Sequence, residues 1–162
     1  VFKLAFSENA QKVGMPLIPC REAKHIWTQT RIIEDAVFGT DLTGANIIVS
    51  GGLGMGSREN FKKLHTLADM LGAAVGASRA AVAAGYAGYA HQVGQTGVSV
   101  RPDIYIAFGI SGAVQHLSGI SGAKKIYAVN HDPKAPIHEY ADFSVIADCT
   151  SVLDKLIEKA GG

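Results

Sequence analysis

The chain has 162 residues, 48% of them hydrophobic, enough to bury one full core as a single domain. Fifteen basic against fourteen acidic residues leave a formal charge of +1, so no net field recommends nucleic acid or a membrane surface, and a charged ligand must be met by local groups. Two cysteines, Cys20 and Cys149, stand far apart without CxxC spacing, which fits a reducing compartment and speaks against a disulfide framework or a zinc site. No apolar run reaches the roughly 18 residues of a membrane span.

The first residue is valine rather than methionine, from which trimming and the loss of an address segment are expected. Residues 1–44 are polar and irregular, with KLAFSENAQKV as a short helix and GMPLIPC as a turn-rich stretch. The expected organisation is an arm, a linker or the remnant of a preceding domain over 1–40, then a binding domain over 41–162. From residue 45 strands and helices alternate. ANIIVS (45–50) reads as a strand running into GGLGMG, followed by a helix whose apolar face is Phe61, Leu64, Leu67, Ala68 and Leu71. GAAVGAS (72–78) is a short strand and RAAVAAGYA (79–87) a small-residue helix. DIYIAFGI (103–110) is continuously apolar, as expected of a parallel strand covered on both faces. SGAVQHL opens a short helix, KKIYAVN (124–130) and FSVIAD (143–148) are two more buried strands, and Ser151 caps a last helix with Val152, Leu156, Ile157 and Ala160 inward.

This alternation predicts an α/β fold, a doubly wound and mainly parallel sheet with helices on both faces, rather than a barrel, which needs about 250 residues. Ligands of such sheets sit beyond the carboxyl ends of the strands. GGLGMGS (51–57) has that position and is open to two readings, a phosphate cradle or a plain tight turn, because Ser57 replaces the third glycine of GxGxxG. GxxxxGK[ST] is absent. Ser111, Gly112, Ala113 and Gln115 form a second loop whose small residues allow close approach to a pyrophosphate, while Ser111 also suits an N-cap. His116 follows on the same helix and can donate a hydrogen bond to a negatively charged carbonyl oxygen. The other histidines, His25, His65, His91, His131 and His138, read as surface or capping residues. No HxxxH or HExxH pair suggests a metal. Ser78-Arg79 ends a strand, its arginine either solvated or aimed into the crevice. GISGA is one residue too tight for the GxSxG of a hydrolase.

VSGGLGMGSRENF, LGAAVGASRAAVAAGY, QVGQTGVSVRPDIYIAFGISGAVQHLSGI and AVNHDPKAPIHEYADFSVIAD, in this order and spacing, resemble the carboxyl-terminal FAD-binding domain of the electron transfer flavoprotein alpha subunit over roughly 41–160. The resemblance implies a Rossmann-like domain holding noncovalent FAD. It puts Arg79 over or beside the ring, Gln95, Thr96 and Gly97 along it with Thr96 near N5, and His116 close to O2. Ser78, Val93, Gly94, Ser111, Gly112, Ala113, Val114 and Gln115 would line the FAD, with the Ser111 loop at the diphosphate, and Asn130, Asp148 and Cys149 would surround the adenosine. A guanidinium and a histidine donor suit the negative charge that reduction brings to N1 and O2. The implied role is a redox carrier rather than an enzyme, with no catalytic residues of its own. It would work with an electron transfer flavoprotein beta subunit, taking electrons from acyl-CoA or other dehydrogenases and passing them to a quinone oxidoreductase. It would do so in the mitochondrial matrix of a eukaryote or the cytoplasm of a bacterium.

Two departures stand out. Leu53 occupies the position of an arginine in the family's SGGRG, and Gly88 lies where the family has a proline, loosening that loop. Two rivals remain: a nicotinamide-dependent oxidoreductase, for which GGLGMGS and Asp69 meet the fingerprint only loosely, and a cofactor-free interaction module.

Overall fold

The structure, a computed structural model, describes residues 41–161. The expected arm over 1–40, with its KLAFSENAQKV helix, its GMPLIPC turn, Cys20 and His25, lies outside the described residues. Five strands, β1 (Ile47–Gly51), β2 (Ala74–Ala77), β3 (Ile104–Phe108), β4 (Lys125–Asn130) and β5 (Phe143–Ile146), form one sheet in the order β2-β1-β3-β4-β5. Every pairing is parallel, from Ile48↔Ala74 at one side to Asn130↔Ile146 at the other. The fold is the doubly wound α/β class expected.

Alternation along the strands sends side chains to two separate cores. Val49, Phe108 and Val129 pack beneath α1 (Arg58–Leu71) and α5 (Cys149–Ala160), with Phe61, Leu64 and Leu153. Ile48, Tyr105 and Ala107 pack on the opposite face against Leu117 and Ile120 of α3 (Val114–Ile120) and Ile137 of α4 (Ile137–Tyr140). The Ser57 hydroxyl accepts from the Asn60 amide at 3.1 Å to start α1, and Gly72 in the left-handed region (φ 61°) ends it.

Four local expectations change. Leu71 is exposed, because α1 is ending and its last turn overhangs the sheet. The helix after β2, α2 (Arg79–Ala83), is shorter than 79–87, since Gly85 takes φ 76° just beyond it. Strand β5 is mostly exposed rather than buried, as it pairs on one edge only. The last helix is capped by Asp148, whose carboxylate accepts from the Ser151 amide at 2.8 Å. Starting at Cys149, it turns Cys149 and Leu153 fully inward and leaves Leu156 and Ala160 exposed. Among the described residues no helix is long and apolar enough to cross a membrane.

Candidate functional site

In a sheet of this order the chain leaves β1 toward β2 and leaves β3 toward β4, so the connections diverge between β1 and β3 and open a crevice at their carboxyl ends. A cavity of about 630 Å³ lies there. Its wall comes from the tails of four strands: Leu53 and Gly54 after β1, Ser78, Arg79, Ala80 and Ala83 after β2, Gly109, Ile110, Ser111 and Ala113 after β3, and Asn130, His131, Asp132 and Ala135 after β4. Val93, Gly94, Gln95 and Thr96 from the loop before β3, with Gln115 and His116 of α3, complete it.

The loop at 92–98 is held in shape by its own bonds. Gly94 N donates to Val98 O at 3.1 Å, Gly97 N to Gly94 O at 3.0 Å, and Val98 N to Gln92 O at 2.8 Å. Gln92, which is buried, donates from Nε2 to Thr96 Oγ1 at 3.0 Å, and the Tyr89 hydroxyl donates to Thr96 O at 2.6 Å. Gln95 N reaches across to Gln115 O at 2.8 Å. That approach requires glycine: a Cβ on Gly94 would stand 2.8 Å from Gln115 O, at a φ of 136°. Thr96 and His116 are thereby brought to one wall.

Arg79 is exposed at the rim, contributes to the cavity wall and, among the described residues, makes no ion pair, which accommodates both readings from the sequence, a solvated cation and a charge facing the crevice. Ser78 is buried and spends an oxygen lone pair on the Ala81 amide at 3.2 Å. Asn130 is buried; its amide donates to Ile110 O at 2.8 Å and accepts from Asp132 N at 3.0 Å, tying the β3 and β4 loops together at the floor. His116 is 6% exposed. Burial pushes its pKa down to about 4, the nearby Val93 carbonyl opposing weakly, so the ring is neutral at physiological pH.

Of the residues singled out in the sequence, Ser78, Arg79, Val93, Gly94, Gln95, Thr96, Ser111, Ala113, Gln115, His116 and Asn130 line the cavity, and Gly97, Gly112, Val114, Asp148 and Cys149 do not. Gly97 closes the loop from behind, Gly112 turns its Cα to Ile137, and Val114 is exposed on the outer side of α3. Asp148 is committed to its cap, where the Thr150 hydroxyl and then the Ser151 amide hold its pKa at about 2. Cys149 is buried beneath the β1 loop, its thiol donating to Gly54 O at 3.1 Å and kept neutral by burial and by the adjacent Asp148. Sequence reasoning missed Gln92, whose role is to brace Thr96, and His131 and Asp132, which follow a strand and could have been found from that position alone.

A doubly wound parallel sheet with a crevice at its switch point, its surface mostly apolar and its lining loops bearing glycines and polar side chains, defines a domain for a nucleotide-type cofactor. Among the described residues no cluster of three metal-ligating side chains competes with that description. The profile of the electron transfer flavoprotein FAD-binding domain matches residues 41–121, and the chain belongs to that family. The mitochondrial electron transfer flavoprotein subunit alpha of Oryza sativa subsp. indica is 55% identical over 119 residues, covering 74% of this chain and 33% of that protein. The subunit alpha of Bacillus subtilis is 51% identical over 128 residues (79% and 39%), and that of Paracoccus denitrificans 54% over 119 (74% and 39%). This chain thus spans between a third and two-fifths of the length of these relatives.

FAD is the cofactor of the matched domain, and the residues present fit it. The volume suits a multi-ring ligand, the walls are largely apolar, and at Gly94 the loop backbone passes too close to Gln115 for any side chain, leaving the cavity open there. The one poor match is Leu53, which puts an exposed apolar side chain on the wall.

Proposed function

We propose that the chain is the FAD-holding part of an electron carrier. It would act beside an electron transfer flavoprotein beta subunit, taking electrons from acyl-CoA or other flavin dehydrogenases and delivering them to a membrane quinone oxidoreductase. The observation that carries this reading is the meeting of Arg79, Thr96 and His116, from three separate segments, around one crevice at the sheet's switch point. In it Arg79 faces the isoalloxazine, Thr96 serves the N5 edge, His116 the O2 edge, Ser111, Ala113 and Gln115 the diphosphate and Asn130 the adenosine side. When bound, the flavin supplies the redox chemistry; the protein binds it, keeps water from one face and sets the polarity around it.

A nicotinamide enzyme is less well supported. Asp69, the acidic residue its fingerprint would use, lies in the last turn of α1 and does not reach the cavity wall. Titrating the purified 162-residue chain with FAD, alone and with a beta subunit, and following the visible flavin bands tests the proposal. Saturable uptake of one flavin supports it. NADH-dependent turnover without flavin, or no uptake in either setting, overturns it.

A further inference from the structure

Directly behind the cavity wall lies a buried polar contact, between Tyr105 and His116, that flavin binding as described does not account for. Tyr105, near the start of β3, is fully buried, and its hydroxyl lies 3.0 Å from Nε2 of His116, with the ring centroids 6.0 Å apart. Tyr105 is not part of the wall, whereas His116 is. One edge of the imidazole is therefore engaged inside the core, and its other nitrogen, Nδ1, is buried without a partner. Such an atom in a native core calls for an explanation.

Chemistry decides which nitrogen carries the proton. A neutral imidazole has one N–H donor and one bare acceptor. A phenol is the more acidic donor and an imidazole nitrogen the more basic acceptor, so the favoured bond runs from Tyr105 O–H to a bare Nε2. The fully buried Ser50 hydroxyl lies against the phenol without a completed bond of its own, and it can turn its hydrogen to the phenol oxygen. The carbonyl of Val93 beside the ring also favours a proton on the imidazole.

We propose that Tyr105 is a positioning residue: its phenol donates to Nε2, fixes His116 as the Nδ1–H tautomer, and so holds the imidazole in one orientation at the cavity wall. That a flavin lies against this wall rests on the proposed function; the tautomer does not.

Nitrogen-15 spectra of the labelled full chain at neutral pH distinguish the tautomers. The expected result is a protonated Nδ1 and a bare Nε2 on His116. Tyr105→Phe, which removes one oxygen, should release His116 toward the Nε2–H form of free imidazole and weaken FAD by about three- to tenfold. An Nε2–H tautomer in the unaltered chain overturns the proposal even if the variant fails to fold, and so does an unchanged tautomer in a folded Tyr105→Phe. An Nδ1–H tautomer that disappears in the variant, in a chain that takes up no FAD, upholds the role of Tyr105 and overturns the flavin reading instead.

Discussion

Lowering the pH should expose the burial of His116 as a loss of stability. Its folded pKa lies near 4 against an ordinary 6.5. At pH 7 both states leave the ring neutral. As the pH falls below 6.5 the unfolded chain takes up a proton that the folded chain refuses, so stability present above the unfolded pKa is lost progressively down to the folded one. A gap of about 2.5 units at ~1.36 kcal/mol each sets the loss at about 3 kcal/mol between pH 7 and pH 4. The assay is urea unfolding at several pH values on the chain and on His116→Gln, which cannot titrate there. Carboxylates such as Asp148 act equally on both proteins, so the difference in stability isolates the histidine. That difference should shrink by about 3 kcal/mol on acidification. Parallel curves would refute the reasoning and place the ring in water, not behind the wall.

Other substitutions test separate parts of the site. Gly109→Ala puts a Cβ 2.7 Å from the Gly54 carbonyl carbon at φ 62°, so it should cost at least about 2 kcal/mol in urea unfolding and weaken FAD by prising the β1 and β3 loops apart. Asp148→Ala should destabilise the chain by about 1 kcal/mol while Ser151→Ala is nearly silent, and the reverse order would restore Ser151 as the cap of α5. Arg79→Ala should lower the flavin reduction potential by roughly 40 mV for one electron, about 1 kcal/mol, with the difference fading in high salt. Leu53→Arg should tighten FAD up to about tenfold in the same titration; no change would mean that another group already makes that contact.

The fold was legible where one rule acted alone. Glycine and Asn/Asp punctuation between β-branched runs marked all five strands, and the unbroken apolar DIYIAFGI belongs to β3, which is paired on both edges and packed on both faces. Legibility failed where tertiary position decides. FSVIAD is apolar enough for a core strand, and nothing local to it says that it ends the sheet. At the last helix two good caps, Asp148 and Ser151, stand three residues apart, and choosing the later one rotates the buried face away from Leu153. In the site, loop residues with little choice of neighbour were found from motif and resemblance. The pairing of Gln92 with Thr96 and of Tyr105 with His116 needs the folded distances, because a glutamine beside a glycine loop and a tyrosine in an apolar strand look like packing until their polar atoms are located.

Those two hidden pairs also bear on how the site treats charge. Among the described residues Arg79 is the one permanent cation on the wall, and it is exposed, where water reduces a unit charge at 4 Å to about 1 kcal/mol. His116 is neutral and buried, and its bond to Tyr105 is made where no water competes, which strengthens it. In the core Tyr105 engages Nε2 of that ring, and burial of the whole imidazole is what keeps it neutral. The same burial that makes the histidine costly to protonate makes its hydrogen bond strong, so the acid sensitivity of the fold and the polarity of the cavity have one physical origin.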